Sequence, residues 1–597
     1  MDIEELLVGL NEQQRDIVVS EENLLVKACP GSGKTRTLTY KLMFESLKNP
    51  LSLKKLVAIT YTNRAANEIE ERLERLGANT DNVWAGTIHQ FCLEYIIRPY
   101  QMYSERVCKG YTIIDEYVRM KYLKVISEEQ KLDLPGWKLG KIDTGLDTNM
   151  KIRERAYPQI VVEYHKYLSN HKEIDFDLIL NIAYSILIKE PFIKKNIAGV
   201  IRGIFIDEYQ DTNELQYCIV GTIAGAVPDV KVLIVGDLDQ AIYGTLGGVA
   251  KPKNEIEVLF NKRFVEKSIT GCYRSTQRII DYYMHFQITP FKITSKAKYA
   301  LEQGRICYSL NYSKDEIYSV IAELIKNKLQ EGVPEKEICV VAPQWELLFP
   351  ISRKMRELLP DVSFDAPDIT PIKYEDFNIF YKIARLTFTP VGQKISLRKR
   401  LATEILDMLE NDYHIHIPEN IECYSILKTI ASVKTQSTKG TEYLDQSIMK
   451  ILKMFKIRLR DYSELSKAYT DYFEKIADRM QRYSLPDDIE IFKKTFQEKE
   501  GVVVTSCYKV KGEEYDTVIA YGLLEGKIPH WEAIFANSQF AKNEAKKMLY
   551  VIASRAKRNL FLFSESGRRK KSGEYEPTQI LRRYSFSYDP FENSNNI

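Results

Sequence analysis

The sequence predicts an α/β fold built on parallel sheets, and three short apolar segments support this prediction. Leu24 to Val26, Ile204 to Ile206 and the run that ends at Gly236 each have the length of a buried strand. Each is followed within a few residues by glycine or polar side chains, which are typical of turns that bind a ligand. Because the carboxyl ends of parallel strands meet at one edge of a sheet, we expect these turns to form one site.

Length and composition define the class of protein. A chain of 597 residues is too long for one hydrophobic core, so roughly three or four domains are expected. Apolar residues make up 44% and charged residues 28%, as in soluble globular proteins. No apolar run approaches the ~20 residues that span a bilayer, and the first residues are acidic, so we expect a cytoplasmic protein without a membrane partner. The net charge of +3 neither requires nor excludes nucleic acid.

The turn after the first strand, "ACPGSGKT", favours the binding of a nucleotide phosphate. Gly31 and Gly33 let the backbone approach an anion, and the helix that follows offers free N–H groups. Lys34 can reach the β- and γ-phosphates, and Thr35 can hold Mg²⁺. The usual pattern GxxxxGK[ST] begins with glycine where this chain has Ala28, so at this point an ordinary structural loop stays an alternative.

The second and third strand ends supply the other groups that an ATPase needs. In "GIFIDEYQDT", Asp207 would join Mg²⁺ through its water shell, and Glu208 would orient or deprotonate the attacking water. An acidic turn after a core strand is the alternative, but four polar groups in "DEYQD" make it a poor explanation. In "KVLIVGDLDQAIYG", Gln240 can sense the γ-phosphate by hydrogen bonding.

Further motifs appear in order along the chain. They are "LNEQQRD", "ITYTNRAANEI", "GTIHQFC", "IDFDLIL", "CYRS", "YKVKGEEYDTVI", "LLEGKIPH" and "LYVIASRAK". With the phosphate loop and the "DEYQD" box, this series resembles UvrD/Rep-like DNA helicases of superfamily 1A, from residue 10 to about residue 563. That family commonly has alanine at the first position of the phosphate loop, which explains Ala28.

The resemblance implies an architecture as well as a family. It implies two RecA-like P-loop domains with parallel sheets, each carrying a mainly helical insertion, and ATP in the cleft between them. The first domain would comprise residues 1–105 and 195–275, with an insertion at 106–194. The second would comprise residues 276–372 and 500–597, with an insertion at 373–499.

The resemblance also implies roles for individual residues. Gln14 would read the adenine, Tyr273 would pack near it, and Glu514 would lie near the ribose. Arg274 would reach the γ-phosphate, and Arg555 would be the arginine finger. The implied ATP-binding positions are Gln14, Gly31, Ser32, Gly33, Lys34, Thr35, Arg36, Tyr273 and Glu514. The implied catalytic positions are Lys34, Asp207, Glu208, Gln240, Arg274 and Arg555, and the implied metal positions are Thr35 and Asp207.

Two of the motifs resemble segments that contact single-stranded DNA in the family. The implied DNA-binding positions are Tyr61, Thr62, Asn63, Thr87, His89 and Tyr243. Bases would stack on Tyr61 and Tyr243, although each could equally be a core tyrosine in a chain with 38 tyrosines.

The chain departs from the family pattern at a few positions. Where the family has an aromatic residue and then an arginine, "IYGTLGG" has Thr245 and Leu246, so one stacking platform is missing. Tyr508 replaces a histidine, and Cys272 replaces an asparagine. The groups of the ATPase site are all retained, so hydrolysis is a safer prediction than processive unwinding.

The function predicted from the sequence is an ATP-dependent 3′ to 5′ translocase and helicase on single-stranded or partially duplex DNA, with ATP and Mg²⁺ as cofactors. The alternative is a DNA-sensing ATPase subunit that regulates a partner nuclease in a bacterial phage-defence system, with weak unwinding. A general P-loop ATPase without nucleic acid is the third possibility. The segments "TYTNRAA" and "GTIHQFC" count against it.

Overall fold

The computed structural model describes residues 3–77, 82–132, 134–152, 156–243, 248, 250–375, 377–392, 394–418, 420–497, 500–571 and 573–591. The chain forms two compact units. The first comprises Met1–Phe91, Glu190–Ala366 and Lys499–Ile597, and the second comprises Cys92–Lys189 and Pro367–Glu498. Each unit therefore combines segments that are far apart in the sequence.

Six parallel strands form one sheet of the first unit. They are β1 (Leu24–Ala28), β2 (Lys55–Thr60), β3 (Val83–Thr87), β4 (Ile201–Ile206), β5 (Lys231–Gly236) and β6 (Val265–Ile269). Their spatial order is β3-β2-β4-β5-β1-β6, so β1 lies between β5 and β6. The strands predicted at Leu24, Ile204 and before Gly236 are confirmed as neighbours in this sheet.

A second sheet of six parallel strands lies in the same unit. Its members are β7 (Arg305–Ser309), β8 (Ile338–Ala342), β9 (Phe364–Asp365), β10 (Val502–Ser506), β11 (Tyr515–Ala520) and β12 (Ala556–Phe563). Their order is β7-β12-β11-β8-β10-β9. Every residue of β8, β10 and β11 is buried, as expected for a parallel sheet that is covered on both faces. The predicted α/β class with two parallel sheets is confirmed.

Helices connect the strands of the first unit. Two of them begin with capping boxes, Asn11 with Gln14 and Asn213 with Gln216, in which each side chain bonds the other residue's backbone N–H. The α-helices are Ile3–Leu7, Glu12–Val19, Lys34–Lys48, Asn63–Arg75, Ile88–Phe91, Pro191–Gly199, Glu214–Ala224, Lys253–Phe260, Gln277–Met284, Ile317–Gln330, Trp345–Leu358, Trp531–Ala536, Ser538–Ala553 and Gln579–Arg583. Short 3₁₀ turns are Tyr209–Asp211, Leu238–Gln240 and Glu335–Glu337.

Two hydrophobic cores support the two sheets. The core of the first sheet packs Val26, Phe205 and Val235 against Leu38 and Leu42 of the helix after β1. The core of the second sheet also takes in residues beside the first sheet, namely Cys29, Ile242 and Cys272. Apolar packing is therefore continuous around the turns that follow β1 and β5.

The second unit is mainly helical. Its helices are Cys92–Ile97 (a π-helix), Arg98–Tyr100, Glu116–Glu129, Gly136–Leu139, Pro158–Asn170, Phe176–Lys189, Ile379–Phe388, Ile395–Asn411, Cys423–Ala431, Gly440–Met454, Ser463–Tyr483 and Ile489–Lys494. Its 3₁₀ turns are Gln101–Tyr103 and Leu459–Asp461, and its two short strands, Thr112–Ile113 and Glu173–Ile174, are parallel. Within the described ranges, no helix is both long and apolar enough to cross a membrane.

Ion pairs join the two segments of the second unit. Arg98 Nη2 lies 3.1 Å from both carboxylate oxygens of Asp412. Lys475 contacts Asp115 on one segment and lies 3.1 Å from Oε2 of Glu375 on its own segment. These side chains are largely buried, so removal of one partner would leave an uncompensated charge, which is far costlier than loss of an exposed pair.

Candidate functional site

The loop after β1 has the geometry of an anion cradle. Gly31 and Gly33 have φ angles of +69° and +78°, which side chains rarely tolerate. A Cβ atom on Gly31 would also lie 2.6 Å from Cβ of Arg274 and 3.0 Å from Sγ of Cys272. Both glycines are therefore required by the backbone, and the loop passes directly against the segment that carries Arg274.

The helix that starts at Lys34 places two polar side chains beside the end of β4. Lys34 Nζ lies 3.0 Å from Oε1 of Glu208, and Thr35 Oγ1 donates a hydrogen bond of 2.9 Å to Oδ2 of Asp207. Burial favours a lower pKa for Lys34, but the surrounding carboxylates, Glu208 first, raise its pKa above the ordinary value. The lysine is thus held as a cation at the mouth of the loop.

The two adjacent carboxylates differ in their electrostatics. Burial, and then the charge of Glu208, raises the pKa of Asp207 to about 6. Burial would also raise the pKa of Glu208, but Lys34 and Lys511 lower it to about 2. Glu208 has a φ of +51°, an unusual conformation that turns it toward Lys34 just after β4.

Thr35 and Asp207 fit a magnesium ion. Mg²⁺ binds hard oxygen ligands and is usually held by one or two protein side chains together with water and substrate phosphates. The hydroxyl and carboxylate oxygens of this pair lie 2.9 Å apart beside the phosphate loop. The donor set and its position suit such an ion.

Gln240 connects the end of β5 to the second sheet. Its Nε2 donates to Oδ2 of Asp237 at 2.7 Å, and its Oε1 accepts a hydrogen bond of 2.8 Å from Nη2 of Arg555. Tyr550 donates a further hydrogen bond of 3.2 Å to the same oxygen of Asp237. Residues that precede β12 therefore touch the turn that follows β5.

Arg555 is buried, and the groups that accept its hydrogen bonds are neutral. Only 1% of it is exposed. Besides Gln240, it donates to the carbonyl oxygens of Val551 and Glu513 and to Oγ of Ser554. Burial, and then the neighbouring positive charge of Arg274, lowers the pKa of Arg555 to about 9. An anion placed here would relieve that destabilisation of the charged form.

Arg274 and Glu514 form an ion pair next to Arg555. Arg274 Nε lies 2.9 Å from Oε2 of Glu514, and its Nη1 donates to the carbonyl oxygen of Ser554 at 2.8 Å. Lys557 Nζ lies 3.5 Å from the same carboxylate group. The structure therefore places all six predicted catalytic residues around the phosphate loop and the turns after β4 and β5.

The other predicted ATP-binding residues contact the phosphate loop or the segments beside it. Gln14 Nε2 donates to the carbonyl oxygen of Ser32 at 3.0 Å. The backbone N–H of Tyr273 donates to Gly31 at 2.8 Å, and its hydroxyl accepts from Asn11 at 2.7 Å. Arg36 donates to the carbonyl oxygen of Gly9 at 3.2 Å. Tyr273 is 44% exposed.

The structure brings together two of the predicted DNA-binding residues. The rings of Tyr61 and Tyr243 stack, with centroids 4.9 Å apart and planes inclined by 26°. The ring of Tyr508 lies 5.9 Å from that of Tyr243, and the Tyr243 hydroxyl donates to the Tyr508 carbonyl at 3.0 Å. The three rings form an aromatic row, Tyr61, Tyr243 and Tyr508, which runs from the first sheet to the second. Tyr508 stands where the family has a histidine.

The other predicted DNA-binding residues make local contacts. Thr62 caps the helix that begins at Asn63 by accepting from the N–H of Ala65, and the N–H of Thr87 donates to Oε1 of Gln90. Burial lowers the pKa of His89 to about 4, so this imidazole is neutral at physiological pH. Thr245 and Leu246, the departures from the family pattern, lie outside the described residues.

Sequence reasoning missed Lys511. Its ammonium contacts Oδ2 of Asp211, donates to the carbonyl oxygen of Gln240 at 2.7 Å and lies 5.4 Å from the ring centroid of Tyr243. One side chain therefore touches both the nucleotide-side turns and the aromatic row. The signal in the sequence is its place in the motif "YKVKGEEYDTVI", which also carries Glu514.

Comparison with known proteins gives two family matches. The model of the UvrD/REP helicase N-terminal domain matches residues 10–258, and the model of the UvrD-like helicase C-terminal domain matches residues 393–567. Among curated proteins, the ATP-dependent DNA helicase PcrA of Bacillus subtilis strain 168 is 24% identical in an alignment that covers 94% of this chain and 83% of that protein. PcrA of Staphylococcus aureus strain Mu50 is 23% identical over 94% of this chain and 84% of that protein.

Proposed function

The chain belongs to the UvrD/REP helicase family, and we propose that it hydrolyses ATP to move 3′ to 5′ along single-stranded DNA and to separate duplexes ahead of it. The direction and the DNA substrate follow from the resemblance of its motifs to that family. The domain and insertion boundaries predicted from the sequence are kept as part of this proposal. A role beside a partner nuclease stays a prediction of the sequence.

One observation carries the proposal: Lys511 contacts the nucleotide-side residues Asp211 and Gln240 and also lies over the ring of Tyr243. Tyr243 in turn stacks on Tyr61, and aromatic side chains of this kind hold the bases of single strands. A movement of the turns after β4 and β5 on hydrolysis would therefore be transmitted through Lys511 to the rings of Tyr243 and Tyr61. That connection is what a translocase requires.

The residues of the phosphate loop suit the chemistry of hydrolysis. Lys34 is now paired with Glu208 and would exchange this partner for the phosphates of ATP. Of the two positive charges that lower the pKa of Glu208, loss of the lysine removes the one with the larger effect, so this carboxylate becomes a better acceptor for the proton of the attacking water. When Mg²⁺ is bound, the ion would neutralise phosphate charge, and Thr35 and Asp207 would hold it.

The second sheet completes the site. Arg555 and Arg274 are both buried, and Arg274 lies directly against Gly31 of the phosphate loop. Charge that develops on the γ-phosphate would be stabilised by both, and it would hold the turns of the two sheets together until hydrolysis. Release of phosphate removes that attraction.

The test is to measure DNA-stimulated ATPase and strand displacement on one preparation. We expect single-stranded DNA to stimulate hydrolysis, and a duplex with a 3′ single-stranded tail to be separated in preference to one with a 5′ tail. Stimulation without displacement of either duplex would favour the DNA-sensing role instead. A rate of ATP hydrolysis that does not change when DNA is added would contradict both roles.

A further inference from the structure

An exposed tryptophan follows a strand of the second sheet and contacts Lys509, the residue after Tyr508. Trp345 begins the helix Trp345–Leu358, three residues after β8, and 42% of it is exposed. We propose that Trp345 is a stacking platform for a base of single-stranded DNA. This inference rests on the proposed function and adds a binding site on the second sheet.

The surroundings of Trp345 combine aromatic surface with positive charge. Lys509 Nζ lies 4.9 Å from its ring centroid, and the ring of Phe349, one helical turn along, stacks at 5.9 Å with an interplanar angle of 25°. Proteins that bind single strands without sequence preference combine these two elements, because every base has a π-face and every linkage carries a negative charge. A polyanion is therefore favoured over an apolar protein segment.

Trp345 is also linked to the aromatic row. Lys509 directly follows Tyr508, whose ring lies 5.9 Å from that of Tyr243. Lys509, which lies over the ring of Trp345, therefore links Trp345 to the Tyr508 end of the row of Tyr61, Tyr243 and Tyr508. These residues start after β2 of the first sheet, at Tyr61, and end after β8 of the second, at Trp345. Successive bases of one strand could occupy such a row.

A base can compete with Lys509 for the face of Trp345. Exposed cation–π contacts are weaker than the stacking of a base on an aromatic ring. A base would thus displace the ammonium group, which could then pair with the adjacent phosphate. The carboxylate nearest along the chain, Glu346, is already paired with Lys527 and so does not oppose the approach of a phosphate.

The test compares two exposed tryptophans. An oligothymidylate is titrated while intrinsic fluorescence is recorded for the wild type, Trp345→Phe and Trp137→Phe. Trp137 is the matched control: it is 65% exposed, has Lys138 and Lys141 at 5.5 and 6.0 Å from its ring, and belongs to the second unit. We expect DNA to quench the wild type and Trp137→Phe, and the quenching to be largely lost in Trp345→Phe.

A second measurement gives the affinity. Trp345→Ala should raise the Kd for the oligonucleotide roughly 5- to 150-fold, with a smaller rise for Trp345→Phe, because phenylalanine keeps part of the stacking surface. ATP hydrolysis without DNA and the thermal midpoint report whether each variant is folded. Trp345→Phe preserves the aromatic volume and keeps the test decisive if the alanine variant is unstable.

The outcomes separate this inference from the proposed function. One outcome is that the wild type binds the oligonucleotide while both Trp345 variants keep its affinity and Trp345→Phe keeps its quenching. In that case Trp345 is not a stacking platform, and the helicase assignment stands. If the wild type does not bind the oligonucleotide at all, both are wrong. Loss of quenching together with weaker binding supports the platform.

Discussion

Arg555 Nη2 lies 2.8 Å from Oε1 of Gln240, and this hydrogen bond joins a residue just before β12 of one sheet to the turn after β5 of the other. The amide nitrogen of Gln240 donates to Asp237, so this side chain connects the carboxylate of Asp237 to the guanidinium of Arg555. A γ-phosphate in this position would contact both the glutamine and the arginine. By the proposed function, this contact would let one nucleotide be sensed by both sheets.

Replacement of Arg555 should affect turnover rather than binding. We expect Arg555→Ala to lower kcat roughly a thousandfold or more, in the range of arginine fingers, because the charge on the transferred phosphoryl group loses its buried partner. Steady-state ATPase assays and nucleotide titrations measure the two effects. Arg558→Ala, a more exposed arginine paired with Asp516, is the control. Similar turnover in both variants would show that Arg555 does not complete the site.

Variants of Lys34 and Glu208 should affect nucleotide binding and ATP hydrolysis separately. Lys34→Ala removes the cation at the mouth of the loop and should weaken nucleotide binding. Glu208→Gln keeps the shape of the side chain but cannot accept a proton, so it should bind ATP and hydrolyse it roughly 10²- to 10⁴-fold more slowly. Single-turnover hydrolysis with pre-bound ATP measures this step. Near-normal turnover in Glu208→Gln would remove its assigned role.

The pair of Lys511 and Asp211 should show strong energetic coupling. Their side chains are 6% and 1% exposed, so Lys511→Met would leave Asp211 as an unpaired buried charge. We expect this variant to lose about 3 to 5 kcal/mol of stability, and the double variant Lys511→Met with Asp211→Asn to recover much of it. Denaturant unfolding gives the values. Additive losses in the double variant would mean that the two side chains do not interact.

Glu544 should make stability depend on pH near neutrality. Burial raises the pKa of Glu544 from 4.5 to about 7, and its carboxylate accepts a long hydrogen bond of 3.3 Å from the N–H of His530. A raised pKa in the folded state means that the stabilisation is complete below pH 4.5 and is lost as the pH rises through about 7. Glu544→Gln, which stays neutral, should therefore gain stability relative to the wild type over that interval.

Thermal midpoints between pH 4.5 and 8 test this dependence on Glu544. The difference between Glu544→Gln and the wild type should grow as the pH rises and level off above pH 7. Glu490→Gln, at an exposed position, is the control variant. A constant difference across the range would contradict the assignment to Glu544.

Local sequence signals were enough for the strands and for the phosphate loop. A buried parallel strand is a continuous apolar run, and Gly31, Gly33 and Lys34 form a contiguous motif, so each can be recognised within a few residues. The contact between Lys511 and Asp211 spans 300 positions of the chain and leaves no local trace. Which tyrosines stack was undetermined for the same reason, since Tyr61 and Tyr243 meet only when β2 and β5 take their places in the sheet.

Trp345 shows a different limit of sequence reasoning. The segment "APQWELL" matches none of the motifs that were recognised, and a tryptophan at the start of a helix is often a core residue. Its exposure depends on how helix Trp345–Leu358 packs against the second sheet, and its neighbour Lys509 comes from a distant loop. Only the folded chain brings the ring, the charge and the aromatic row together.

The position of β1 in its sheet has a consequence for biosynthesis. β1 carries the phosphate loop, yet its neighbours β5 and β6 are translated only after the first long helical segment has been made. At about 5 to 20 residues per second, roughly 10 to 50 s pass between the emergence of residue 28 and that of residue 269. Until β5 has been made, β1 has two open edges, and until β6 has been made it still has one. The phosphate loop of a nascent chain therefore lies at the end of a strand that is only partly paired until the sixth strand of the sheet has been made.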